Sequence, residues 1–67
     1  MDLKRDTGKL IREIRKKKGM TQGDLSQALG ITKQSFGRYE NGTANLSLDT
    51  IQKVAESLEV KVRIIFE

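Results

Sequence analysis

Apolar residues recur along this chain with two different periods. From residue 7 to 18, Leu10, Ile11 and Ile14 form one stripe, while Lys9, Arg12, Glu13 and Lys16 lie off it, which predicts an amphipathic helix. Thr7 or Asp6 can cap its start, and the cations of its last turn suit the helix dipole. A second, short helix is predicted over 22–29, with Leu25, Ala28 and Leu29 on its apolar side. Thr21 and Asp24 have the spacing of a capping box at its start. The third helix spans 33–41, capped by Thr32, with Phe36 and Tyr39 on one face. The pair Phe36 and Tyr39 reads as core rather than as a stacking platform. Gly37 lies inside this helix at a cost of about 1 kcal/mol relative to Ala, so some other gain, such as close approach to another surface, is expected to offset it. Ser47 caps a fourth helix over 48–58, where Leu48, Ile51, Val54, Ala55 and Leu58 recur at helical spacing. Gly19, Gly30 and Gly42 each follow one of these stretches, the usual place for a left-handed cap.

The period then changes. Val60, Val62, Ile64 and Phe66 alternate with Lys61, Arg63, Ile65 and Glu67, which predicts a β-strand. No internal repeat, low-complexity segment or linker is present. The chain therefore divides into a helical part, 1–59, and a terminal strand, 60–67, of the same single domain.

Size and composition narrow what such a chain does. It has 67 residues with no Cys, His or Pro, which excludes disulfides, a Cys/His zinc site, and nucleophilic catalysis by a Cys–His or Ser–His pair. No catalytic residues, metal ligands or cofactor site are expected, and an enzyme is very unfavoured in a chain with so little room for a deep pocket. A domain this short relies on regular helix packing or on a partner subunit. No apolar run approaches a membrane span, and the first ten residues lack the apolar core of a signal peptide. Cytoplasmic residence is the expectation.

The net charge is +4, unevenly placed. Residues 1–38 hold ten basic and four acidic residues, a balance of +6, and residues 39–67 hold three and five, a balance of −2. The densest part is Arg12, Arg15, Lys16, Lys17 and Lys18. A basic half points to a polyanion, most simply nucleic acid, with a solvated lysine-rich helix face as the plain alternative.

The spacing of the middle two helices is more specific. Gly30 permits a tight turn after Leu29, Ile31 plugs its inside, and Thr32 restarts the next helix. That describes a helix-turn-helix, whose first helix crosses the phosphate backbone while the next lies in the major groove.

These residues resemble the Cro/phage-repressor (XRE-like) helix-turn-helix family over about residues 7–58. The resemblance rests on Ile11-Arg12-Glu13-Ile14-Arg15, Gly19-Met20-Thr21-Gln22, Leu25, Leu29-Gly30-Ile31-Thr32, Arg38-Tyr39-Glu40-Asn41-Gly42 and Ser47-Leu48. It implies a mainly α, lambda-repressor-like domain of four helices, and it implies roles. Lys33, Gln34 and Arg38 would reach base edges. Gln22, Thr32, Ser35, Asn41 and Thr43 would meet phosphates. Arg15 would pair with Glu40, although as part of the basic run Arg15 also reads as a phosphate ligand. Lys17, with the other lysines of the first helix, would add a salt-dependent phosphate contact. Side-chain chemistry agrees: Gln matches adenine, and Arg or Lys matches guanine. Residues 34 and 38 are four apart and share a helix face.

Three positions depart from the family pattern. Ser26 stands where alanine is usual and needs a hydrogen-bond partner, Gly37 stands where serine or alanine is common, and Leu46 replaces a proline. The tail departs further, since many members continue with a fifth helix. A lone strand cannot satisfy its own backbone, so Val60, Val62, Ile64 and Phe66 are expected to pair with the same strand of a second copy, as in HipB-type antitoxins. A floppy tail, or a strand folding back on its own helices, is the alternative. The expected function is a dimeric, sequence-specific repressor of a palindromic operator in double-stranded DNA. The alternatives are an antitoxin that also binds a toxin, and a protein–protein adaptor of the same fold. No membrane partner is expected.

Overall fold

The structure, a computed structural model, describes all residues from 1 to 67. Four helices follow in order: α1 Leu3–Lys17, α2 Gln22–Leu29, α3 Lys33–Asn41 and α4 Leu48–Ser57. α1 and α2 pack on α3, and α4 packs on α2. Ile11, Leu25, Phe36, Val54 and Leu58, drawn from every helix and the α4 cap, form the buried core. Phe36 and Leu25 are fully excluded from solvent. Tyr39 meets Phe36 edge to face, with ring centroids 6.3 Å apart, and packs against that core. Leu46 also packs there, so the loop without proline is held from beneath by an apolar side chain.

Local chemistry sets the element ends. Each helix opens on an extended residue whose side-chain oxygen accepts the backbone N–H three residues on: Asp2, Thr21, Thr32 and Ser47. At Thr21 the box is reciprocal, because Asp24 Oδ2 accepts the Thr21 N–H at 2.8 Å. Gly19, Gly30 and Gly42 all have φ near +70°, where a side chain is disfavoured. Ser26 is buried, and its hydroxyl donates to the Gly23 carbonyl at 3.0 Å, which meets the need raised by a polar residue in that place.

In three places the structure departs from what the sequence pattern predicts. First, α1 begins at Leu3, four residues before the start predicted at residue 7, and is capped by Asp2 and not by Thr7 or Asp6. Second, Gly37 makes no close approach: a Cβ built there meets nothing within 4 Å. The close approach is at Gly8, where a Cβ would lie against the Tyr39 carbonyl and 2.6 Å from that of Glu40. Gly42 is crowded likewise, 2.7 Å from the Arg5 Cα. α1 thus crosses the end of α3 backbone to backbone, through one glycine on each element.

Third, the four helices are followed by no strand. Val60 packs on the core and its N–H donates to the Ala55 carbonyl at 3.0 Å. Beyond it the backbone groups of residues 61–67 bond to nothing else in the chain. Val62, Ile64 and Phe66 are 47%, 61% and 95% exposed. A strand needs a neighbour to accept and donate its hydrogen bonds, and no other segment of this chain is free to be one.

Candidate nucleic-acid interface

The turn between α2 and α3 is built from Gly30 and Ile31. The Gly30 N–H donates to the Gln27 carbonyl and the Ile31 N–H to the Ser26 carbonyl, closing α2 in the manner of a Schellman cap. Ile31 is half-buried against the core and fixes the angle at which α3 leaves. At the start of α3 the Thr32 hydroxyl accepts the Ser35 N–H at 3.0 Å and donates to Ser35 Oγ at 2.9 Å.

α3 then presents two polar clefts. Gln34 and Arg38, both exposed, line one of them with Thr32 and Ser35. Lys33 is not with them. It lines a second cleft, facing α1, with Arg12, Gln22 and Asn41. Thr43 lies just beyond α3, where its N–H and hydroxyl both turn to the Arg38 carbonyl. Lys17 is exposed on the last turn of α1 and lines neither cleft.

The floor of the second cleft is an ion pair. Arg15 Nε donates to Glu40 Oε2 at 2.7 Å, and a second guanidinium nitrogen donates to Oε1 at 3.1 Å. The third nitrogen reaches the Met20 carbonyl in the α1–α2 turn at 2.9 Å. Gln22 Nε2 also donates to Glu40 Oε1, at 2.9 Å. Arg15 and Glu40 are both buried, and no buried side-chain polar atom lacks a partner. The hydrogen bonds that Arg15 donates to Glu40 raise its pKa above the ordinary value, against the opposing effect of burial. The guanidinium is therefore charged at every accessible pH.

This network ties α1, the α1–α2 turn, α2 and α3 into one frame. It also sets Gln22. One N–H of its amide is held by Glu40, which leaves the second N–H and the carbonyl oxygen to face the cleft. Neither the Gln22–Glu40 bond nor the role of Gly8 was visible in the linear pattern. Arg12 was visible, one turn before Arg15 in the basic run, as a charge without an address.

A family model described as Helix-turn-helix matches residues 11–65. The chain belongs to that family. Its similarity to curated proteins is concentrated in this domain. It is 36% identical over 53 residues to the antitoxin PezA of Streptococcus pneumoniae, covering 79% of this chain and 34% of PezA. It is 38% identical over 60 residues to an uncharacterized HTH-type transcriptional regulator of Sinorhizobium medicae, covering 90% of this chain and 43% of that one. The chain thus spans less than half the length of these helix-turn-helix relatives. Among solved structures it is similar to the restriction-modification controller protein C.AhdI of Aeromonas hydrophila. The TM-score is 0.80 at 33% identity, covering 85% of this chain and 86% of that one. No helix is long and apolar enough to cross a membrane.

Proposed function

We propose that this chain is a cytoplasmic, sequence-specific regulator of transcription that binds double-stranded DNA as a homodimeric repressor. The observation that carries the reading is the face of α3 holding Gln34 and Arg38. They are exposed, one turn apart, and mounted on a helix whose start is rigidly capped. Gln pairs with adenine N6/N7 and Arg with guanine O6/N7, both in the major groove. Thr32 and Ser35 at the start of that helix, and Asn41 and Thr43 at its end, flank this face and suit the phosphates on either side. Gln22 suits the phosphate that α2 crosses, and Lys17 adds charge along α1. The regulator of Sinorhizobium medicae and the controller protein C.AhdI, both similar to this chain, support the regulatory assignment.

Two copies are inferred from the tail. Residues 61–67 carry unpaired backbone and exposed apolar side chains, and a second tail in antiparallel register supplies what both lack. Such a dimer sets two copies of α3 about 34 Å apart, or a multiple of that, on a palindromic operator.

Selection of binding sites from random duplex DNA tests the reading directly. Enrichment of a palindromic site is expected. Gln34→Ala then costs about 1–3 kcal/mol at one base position with little change in non-specific binding. Enrichment of nothing overturns the assignment.

The similarity to PezA favours one second reading, an antitoxin that binds DNA and a toxin alike. A toxin that co-purifies with the chain in defined stoichiometry would establish it.

A further inference from the structure

We propose that the cleft between α1 and the start of α3 seats one DNA phosphate between Arg12 and Lys33, so that Lys33 positions the protein on the duplex and reads no base. The proposal rests on the DNA-binding reading above and divides the labour within α3.

Helix geometry separates Lys33 from the two readers. At about 100° per residue, Gln34 and Arg38 lie about 40° apart around α3, while Lys33 lies about 100° from Gln34 and about 140° from Arg38. The clefts agree: Gln34 and Arg38 share one, and Lys33 lines the other with Arg12.

Charge says what the second cleft accepts. Arg12, Arg15 and Lys33 line it together with a single carboxylate, Glu40. Arg15 and Glu40 neutralise each other in the chain's one ion pair. Arg12 and Lys33 are exposed and have no acidic partner, so two positive charges face the cleft uncompensated. The remaining polar walls are Thr21, Gln22 and Asn41, all neutral, and the amides of Gln22 and Asn41 are able to donate to a phosphodiester oxygen. The other nearby carboxylate, Asp24, is turned to the Thr21 N–H and does not line the cleft. A base edge demands donors and acceptors in a fixed pattern, whereas two cations and neutral donors fit an anion of no particular sequence.

The test is the salt dependence of binding by Arg12→Gln and Lys33→Gln. Both side chains are exposed, and circular dichroism verifies the fold. Affinity is measured between 50 and 200 mM salt on the selected operator and on a scrambled duplex. Each variant is expected to lower the slope of log K against log salt, the two together by about 0.9 for the one phosphate they share, to weaken both duplexes by the same factor, and to leave base preference in the selection unchanged. Gln34→Ala serves as the contrast, losing operator affinity with the slope intact. An unchanged slope in either variant overturns the proposal, as does a changed base preference in Lys33→Gln. A wild-type protein that binds no duplex at low salt overturns the DNA-binding reading itself, and that result is seen before any variant is compared.

Discussion

Arg15 on α1 and Glu40 on α3, 25 residues apart, meet through two hydrogen bonds of 2.7 and 3.1 Å beneath the surface that faces DNA in our proposal. Glu40 also accepts from Gln22, so removing its carboxylate strands a buried guanidinium and frees a side chain of the interface at once. Breaking one partner of a buried pair costs about 3–5 kcal/mol. A domain of this size has roughly 3–10 kcal/mol in total. Glu40→Ala is therefore expected to be largely unfolded at 37 °C, and urea melts at 10 °C give the loss. The double replacement Arg15→Met with Glu40→Leu removes both charges and should recover most of it. A double variant as unstable as the single one would mean that the pair does more than compensate itself.

Two glycines inside helices make a matched pair. A Cβ at Gly8 collides with the carbonyls of Tyr39 and Glu40, which belong to backbone and have nowhere to go. Gly8→Ala must push α1 off α3, at a cost of about 1–3 kcal/mol. Gly37 has open space around its missing Cβ, and its φ is not in the left-handed region. Gly37→Ala is expected to stabilise by about 0.5–1 kcal/mol. Thermal melts of the two variants should move in opposite directions.

That contrast shows what the linear pattern carried and what it did not. α2 and α3 were legible to the residue because Thr21, Thr32, Gly30 and Gly42 mark their ends chemically. That Gln34 and Arg38 share one exposed face of α3 was legible because they stand four apart. The start of α1 was not, since Asp2 caps a first turn whose Leu3 is exposed and belongs to no apolar stripe. Gly8 and Gly37 look alike in sequence, and only the path of a second backbone, tens of residues away, distinguishes them. The place of Gln22 at the start of α2 is plain in the chain, but its bond to Glu40 depends on the crossing of α1 and α3. Lys33 sits next to Gln34 in sequence and on another side of the helix in space.

Acid should weaken the start of α2. The Asp24 carboxylate accepts the Thr21 N–H at 2.8 Å, and chiefly that backbone hydrogen bond holds its pKa below the ordinary carboxylate value. A carboxyl with a lowered folded-state pKa binds its proton more weakly folded than unfolded. Its stabilisation is complete above the unfolded value, about 4, and is lost as pH falls through the lower folded one. Urea midpoints of the wild type should therefore drop as pH is taken from 5 to 3, and those of Asp24→Asn should drop less. Equal declines would assign the acid sensitivity to other groups.

The tail offers the sharpest test of assembly. Ile64 is 61% exposed in the single chain, so an aspartate there has water around it and little reason to disturb the four helices. In a strand-paired dimer the same position faces the core of the interface, where an unpaired carboxylate is costly to desolvate. Ile64→Asp should sediment as a monomer while keeping the helical circular dichroism of the wild type. Operator binding should weaken, because each half-site is then held alone, and the concentration dependence of the wild-type melting temperature should vanish with the dimer. A variant that stays dimeric would move the interface away from residues 60–66.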